Sequence, residues 1–278
     1  MKHRILGFSE GTDKTGKTPV AFFHTDTRGQ SCANGCRRRI LTVPPGSCGG
    51  AGADAFSIIL SKNLFPLPGH GFLRFAKDGV LLECRTDENG GTGCEVLRPG
   101  FATVSEAIEF WPPIYTGIMT VSDKGSRGER EDTSGPALAR ALADIGGVAC
   151  ERAVVPDKKE EIATLLERWT TGIDSLDLVL TTGGTGLAER DVTPEALASL
   201  PGKDVPGLGE FMRWKTSFFT LRSILSRGTA KVVGRTLVLA LPGSRRGAVQ
   251  CFEAVSPVLR HAVEIASGKG GECGGHHS

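Results

Sequence analysis

The 278-residue sequence has little net charge, +2 at neutral pH from 33 basic and 31 acidic residues. It therefore lacks the concentrated basic surface that a nucleic-acid binder needs, and no nucleic-acid partner is expected. Arg37, Arg38 and Arg39 form a short basic run of the kind a solvated segment carries. No uninterrupted apolar run approaches membrane-spanning length, and the start, MKHRILGFSEG, lacks the apolar core of a signal peptide. No membrane partner and a cytoplasmic location are the expectation. No internal repeat stands out. Two clean CxxC pairs are also missing, although the chain has eight cysteines. In a cytoplasmic protein those cysteines read as thiols or metal ligands rather than as a disulfide framework. Cys32, Cys36 and Cys48 could bind zinc with Cys84 or Cys94 as fourth ligand, because thiolates favour that ion, or they could be buried or unpaired thiols. The tail over 268–278 holds Cys273, His276 and His277, which suit a soft metal, among glycines that equally suit a flexible end.

With 39% hydrophobic residues the chain can bury a full core, and its length allows one large or two modest domains. Its most informative stretch is LDLVLTTGGTGLAERDVTPE, from Leu176 to Glu195. Leu176, Leu178, Val179 and Leu180 have the apolar character of an interior strand of a parallel sheet covered on both faces. Thr181, Thr182, Gly183, Gly184, Thr185 and Gly186 follow at its carboxyl end, where open α/β sheets bind ligands. Glycines there let backbone amides approach phosphate oxygens with no Cβ in the way. The spacing matches neither the dinucleotide fingerprint nor the Walker A loop, and a Walker lysine is absent. The loop would hold an anion with amides and threonine hydroxyls, or it is a tight strand-exit turn.

Thr193 and Pro194 read as the cap and first position of a helix, which leaves Asp191 in the loop. A loop carboxylate beside an anion site suits magnesium, which one or two carboxylates hold together with substrate phosphates. It would otherwise be a solvated acid or a partner of Arg190. Asp157 and Glu160 fit a capping box, with Asp157 as the cap of a helix from Lys158 to Trp169. Strand-like runs at Tyr115 to Val121, Glu151 to Val155 and Leu176 to Thr182 alternate with helical patterns at Gly135 to Ile145 and Lys158 to Trp169. That rhythm predicts crossover units. Val232, Val233 and Thr236 to Leu241 flank Gly234 and Arg235 as a hairpin before a last helix from Arg245 to Ala266. Ser244 stands where it would cap that helix.

Taken together, TTGGTGLAERDVTPEA, VSDKGSRGEREDTSGPAL, VVPD, PGLGEFMR, ILSRG and LPGS resemble in order and spacing the molybdenum cofactor biosynthesis domain family, which includes molybdopterin adenylyltransferases. The resemblance runs from about Tyr115 to Ser267. It implies an α/β fold with a three-layer, mixed and mostly parallel sheet, helices on both faces, and a domain over 114–267. It implies Asp157 and Asp191 as the functional carboxylates, shared with Mg2+, and Thr182 to Gly186 as the nucleotide phosphate loop. Ser122, Asp123, Arg213, Ser244 and Arg245 fall on the pterin-substrate side. Arg245 replaces the usual proline after PGS, and Arg246 follows it; Thr216 replaces a common serine. ATP and molybdopterin are the implied substrates, with a molybdate-inserting enzyme downstream and a homotrimer or larger homo-oligomer as the assembly. The implied reaction is adenylyl transfer from ATP to the terminal phosphate of molybdopterin, with release of pyrophosphate. A non-catalytic molybdopterin carrier and a scaffold that has kept only the fold are the competing readings.

The stretch VSEAIEF reads as helical and leads into Trp111, Pro112 and Pro113, where a boundary is expected. Residues 1–110 hold short apolar runs at Val20 to Phe23, Phe72 to Phe75 and Val80 to Glu83, the pattern of a small β-rich domain. NLFPLPGHGFLRFAKDGVLLE, from Asn63 to Glu83, resembles part of a MOSC domain, a β-barrel associated with molybdenum cofactor sulfuration and handling.

Overall fold

A computed structural model describes residues 3–8, 20–23, 39–43, 55–60, 69–75, 79–86, 92–98, 100–103 and 107–268. The chain divides into two compact units, Met1–Pro113 and Ile114–Ser278. Cys32, Cys36 and Cys48, and the tail with Cys273, His276 and His277, lie outside the described residues.

In the first unit nine strands are described: β1 (His3–Phe8), β2 (Val20–Phe23), β3 (Arg39–Val43), β4 (Ala55–Leu60), β5 (His70–Phe75), β6 (Leu81–Thr86), β7 (Thr92–Arg98), β8 (Gly100–Thr103) and β9 (Ala107–Trp111). Seven of them close a barrel in the order β1-β4-β3-β7-β6-β5-β9, while β2 and β8 form a separate pair. Phe72, Leu73, Phe75, Val80, Leu81 and Leu82 are buried. Two sequence expectations are corrected here. The end of VSEAIEF is strand β9, paired with β5 and β1, because barrel pairing overrides a weak local helical pattern. Cys84 and Cys94 are not spare zinc ligands. They face one another in the β6–β7 register and are joined as a disulfide, so neither offers a thiolate.

The second unit contains strands β10 (Ile114–Val121), β11 (Gly147–Val155), β12 (Leu178–Thr182), β13 (Lys203–Asp204), β14 (Ala230–Val233) and β15 (Thr236–Leu241). Its helices are α1 (Asp123–Ser126), α2 (Ser134–Ala141), α3 (Lys159–Thr170), α4 (Thr193–Ala198), α5 (Pro206–Ser217) and α6 (Arg245–Ala266), with 3-10 turns at Leu142–Ile145 and Leu221–Leu225. The sheet order is β11-β10-β12-β15-β14-β13. The first four strands are mutually parallel, and β14 and β13 run antiparallel at the edge.

Strand periodicity produces the layers. Leu178, Leu180, Leu237, Leu239 and Leu241 face one core with Leu138 of α2, Met212 of α5 and Phe252 of α6. The alternate residues Val179, Val238 and Ala240 face the other core with Ile162 and Leu166 of α3 and Leu197 of α4. Both faces are covered, as the near-continuous apolar strands require and as the mixed, mostly parallel three-layer expectation stated. No helix among the described residues is long and apolar enough to cross a membrane.

Leu239 is fully buried in the interior strand β15. Leu239→Ala should destabilise the unit by about 2–5 kcal/mol through lost burial and a residual cavity. Chemical unfolding followed by the fluorescence of buried Trp169 is the measurement, and a shift well under that range would mean that the layer collapses to fill the gap.

Candidate functional site

Four parallel strands end on the same edge of the sheet, and every proposed site loop leaves from one of those ends: 122–123 after β10, 156–157 after β11, 183–191 after β12 and 242–244 after β15. This is the edge at which open α/β sheets carry their ligands.

Backbone contact draws the loops together. The Gly183 N–H donates to the Leu241 carbonyl at 3.1 Å, and the Thr182 hydroxyl donates to the Pro242 carbonyl at 2.7 Å. Gly183 sits at φ +113°, and a Cβ there would lie 2.2 Å from the Val121 carbonyl oxygen. Gly184 has φ +61°, and a Cβ on it would lie 2.4 Å from the Thr193 hydroxyl. Only glycine meets both demands, positive φ and an approach closer than a side chain allows. The Thr193 hydroxyl donates to the Gly183 carbonyl at 2.8 Å. It therefore pins the loop instead of capping α4, whose N-cap is Val192. Among the described residues no hydrogen bond engages the amides of Gly184, Thr185 and Gly186. These amides are the loop's open donors. The Thr181 hydroxyl is buried without a partner.

Asp157 does not cap α3. The helix begins at Lys159 with Lys158 as N-cap and no side-chain cap. The carboxylate instead accepts the Asp123 N–H at 2.8 Å, while the Asp123 carboxylate accepts the Asp157 N–H at 3.0 Å. This reciprocal pair locks the β10 and β11 ends together. Burial pushes the Asp157 carboxyl above the ordinary carboxylate range. The Asp123 amide pulls it down, the negative charges of Asp123 and Asp191 push it further up, and Arg190 opposes them. Three acids thus share one electrostatic neighbourhood. Even so, among the described residues no three His, Cys, Asp or Glu side chains stand close enough to hold a metal ion by themselves. Such a donor set suits a cation completed by ligand oxygens.

Asp191 lies in the loop as expected, half-buried, and its carboxylate accepts the Ala188 N–H at 2.9 Å. Arg227, of the ILSRG segment, braces this loop. Its guanidinium donates to the Gly186 carbonyl at 2.7 Å, to the Asp191 carbonyl and to Glu195 of α4, and its own N–H donates to Thr185 at 2.9 Å. Glu195 is held below its ordinary range by that arginine.

Ser122 caps α1, accepting the Gly125 N–H at 3.1 Å. Ser244 caps α6, accepting the Gly247 N–H at 3.2 Å. Arg213 stands further back: its guanidinium donates to the carbonyls of Gly228, at 2.9 Å, and Ser226, at 3.4 Å, and so supports the segment that presents Arg227. Arg245 and Arg246 are exposed and, with Arg140, line a cleft of about 450 Å³ between α2 and α6. The sequence reading passed over Asp132. Its carboxylate accepts the N–H groups of Ser134 and Gly135, each at 3.0 Å, and the Thr120 hydroxyl at 2.9 Å. Ser134 then donates to the Gly243 carbonyl at 3.0 Å, which joins α2 to the last loop. An Asp two residues before a Ser-Gly-Pro helix start was the available signal.

An amide-lined glycine loop beside clustered carboxylates, at the carboxyl edge of a mostly parallel sheet, defines an α/β protein built to take a phosphorylated ligand. The profile of the family described as "probable molybdopterin binding domain" matches residues 117–261, more than half of the chain. The chain belongs to that family. It is 35% identical over 157 residues to a molybdopterin adenylyltransferase of Helicobacter pylori, covering 56% of this chain and 89% of that protein. It is 38% identical over 153 residues to the molybdenum cofactor synthesis protein cinnamon of Drosophila melanogaster, of which it spans only 25%. The structure of the molybdopterin biosynthesis enzyme MoaB from Thermus thermophilus matches 56% of this chain and 97% of its own, with 48% identity and a TM-score of 0.53.

Two outcomes test the site. Gly183→Ala should lower the melting temperature sharply, since its Cβ meets backbone, whereas Gly207→Ala, with open space at its Cβ, should not. Equal melting temperatures for the two variants would refute the close approach. Because the folded Asp157 carboxyl is raised, its favourable contribution is complete below the unfolded value of about 4 and is lost as pH rises through the shifted value. Asp157→Asn should therefore gain stability relative to the parent as pH goes from about 4 to 7, read by paired thermal melts. A gain that shrinks over that interval would reverse the assigned direction.

Proposed function

We propose that this protein is a molybdopterin adenylyltransferase. It transfers AMP from Mg-ATP to the terminal phosphate of molybdopterin with release of pyrophosphate. The observation that carries the reading is the open-amide loop of Gly184, Thr185 and Gly186 set beside Asp157 and Asp191 on one sheet edge. The similarity to the Helicobacter pylori molybdopterin adenylyltransferase, 89% of whose length is matched, supports it.

In this reading a phosphate oxygen of molybdopterin forms a bond to the α-phosphorus of ATP. The bond to the β-phosphate bridging oxygen breaks, and pyrophosphate carries away the electron pair. Such transfers depend on alignment and on charge stabilisation more than on covalent help. The loop amides would donate to ATP phosphate oxygens. Asp157 and Asp191 would hold magnesium, which supplies neutralisation of phosphate charge when bound. The raised Asp157 carboxyl fits that role, because a cation would relieve its repulsion from Asp123 and Asp191. Ser122, Asp123, Ser244 and Arg245 would flank the pterin, and Arg213 would act through the backbone it supports. The adenylylated product would pass to a molybdate-inserting enzyme, and a compartment with free ATP, the cytoplasm, belongs to the same reading. So does a homotrimer or larger homo-oligomer. For the N-terminal barrel we infer a role in molybdenum cofactor handling. Its support is the closed β topology together with the MOSC-like segment from Asn63 to Glu83.

One observation favours the carrier reading, the replacement of the proline after PGS by Arg245 at an exposed helix start. Pyrophosphate release by the purified chain given Mg-ATP and molybdopterin separates the two. Release that needs both substrates and falls at least about a hundredfold in Asp191→Asn, roughly 2.7 kcal/mol of barrier, is the expected result. Molybdopterin binding without release would make the chain a carrier, and normal turnover in a folded Asp191→Asn variant would remove the carboxylate from the mechanism.

A further inference from the structure

Three successive carbonyls follow the end of β15, and each is engaged by a donor from another element. The Leu241 carbonyl accepts the Gly183 N–H at 3.1 Å, the Pro242 carbonyl accepts the Thr182 hydroxyl at 2.7 Å, and the Gly243 carbonyl accepts the Ser134 hydroxyl at 3.0 Å. The first two donors stand side by side at the end of β12, and two adjacent points leave a segment free to turn about the line that joins them. The third donor comes from the start of α2 and removes that freedom. The segment fixed in this way leads directly into Ser244 and Arg245, where α6 begins.

Ser134 is itself held. Thr133, the N-cap of α2, makes no side-chain cap bond. Asp132 supplies the acceptor instead: one carboxylate oxygen takes the Ser134 and Gly135 N–H groups, each at 3.0 Å, and the other takes the Thr120 hydroxyl at 2.9 Å. Thr120 lies near the end of β10, opposite Thr182 of β12 in the sheet register. Gly135 makes room for the carboxylate, since a Cβ on it would lie 2.4 Å from that second oxygen. A chain of side chains thus runs from the β10 end through Asp132 and Ser134 to the Gly243 carbonyl. Ser134 is buried whereas Gly243 is exposed. Water can therefore take over the Gly243 carbonyl when the hydroxyl is removed, so the bond contributes less to stability than to position.

We propose that Asp132 and Ser134 are positioning residues for the pterin side of the site: Ser134 sets where Ser244 and Arg245 stand relative to the glycine loop, and Asp132 sets Ser134. The role rests on the adenylyltransferase reading, in which Ser244 and Arg245 flank the pterin while the glycine loop takes ATP. Neither Asp132 nor Ser134 needs to touch a ligand. Placement alone is enough, because a shift of about 1 Å in a group that orients a substrate costs up to about a hundredfold. The effect falls on one substrate. The glycine loop keeps its own supports, the Thr193 hydroxyl on the Gly183 carbonyl and the Arg227 guanidinium on the Gly186 carbonyl, and neither passes through α2.

Pyrophosphate release by the full chain, with molybdopterin and Mg-ATP varied in turn, tests this together with the molybdopterin Kd from titration calorimetry. Ser134→Ala is expected to raise the KM and Kd for molybdopterin about tenfold, the scale of one net hydrogen bond, with the KM for ATP and kcat within about twofold of the parent. Its melting temperature should fall only slightly. Asp132→Ala is expected to reproduce that pattern. Asp132→Asn, whose amide oxygen still accepts the Ser134 and Gly135 N–H groups, is expected to keep molybdopterin affinity within about twofold of the parent. Should Asp132→Ala misfold, Ser134→Ala carries the test alone. A molybdopterin affinity unchanged in Ser134→Ala overturns the proposal, and so does a rise in KM of equal size for both substrates. The two proposals fail separately. A parent that binds molybdopterin but releases no pyrophosphate removes adenylyl transfer, and the Kd of Ser134→Ala then still reads the positioning role; an active parent with an unaltered Ser134→Ala variant does the reverse.

Discussion

The close approach of Gly183 to the carbonyl of Val121 is the contact on which the rest of the site depends. Parallel strands end side by side, yet the loops leaving them ordinarily splay apart because each carries side chains. Here the loop after β12 turns back over the end of β10 with no Cβ between them, and its amide is tied at once to Leu241 at the end of β15. Gly243 follows the same rule from the other side: a Cβ on it would lie 3.0 Å from the Gly183 Cα. Three strand ends are thereby held at backbone contact. The positive φ values of Gly183 and Gly184 are the conformational consequence, and the amides beyond them are left without a backbone partner.

Around that backbone knot the fold concentrates negative charge in a place where charge is unfavourable. Asp157 is pushed toward its neutral form by burial and by two like charges, and only the Asp123 amide and Arg190 work the other way. A fold selected for stability alone would put a neutral residue there, since an Asn could accept the same amide hydrogen bond. A carboxylate at this position is favourable where a bound positive charge offsets those like charges. In the proposed reading a cation shared with anionic phosphates would provide one, and would offset the repulsion among these carboxylates.

The layered sheet could be read from the sequence because its signals are local. Leu178 to Leu180 and Leu237 to Leu241 are apolar without interruption, as strands buried on both faces must be, and the helix from Arg245 to Ala266 begins and ends where its cap and periodicity place it. The caps were less legible. Asp157 and Thr193 sit at the right spacing to cap α3 and α4, yet both spend their side chains on backbone across the site. A capping pattern records which residue could satisfy a helix end; it carries no information about a competing amide or carbonyl supplied by a distant loop. The same limit applies to strand β9, where a helical pattern yields to pairing with β1 and β5, and to Cys84 and Cys94, whose meeting depends on the β6–β7 register.

Arg227 shows how a site can divide its labour between residues that touch a ligand and residues that hold those residues still. One guanidinium spans the Gly186 and Asp191 carbonyls and Glu195, and so ties the loop, its acid and the start of α4 to a single group. Lysine could not make these three bonds, since its ammonium lacks the planar fork that directs donors to separate acceptors. The position of Asp191 is consequently set from the far side of the loop, by a residue whose flanking carbonyls are themselves held by Arg213 of α5. Helix α5 and the acid are thus linked through backbone carbonyls, and the arginine in ILSRG holds Asp191 by its carbonyl while leaving its carboxylate free of that guanidinium.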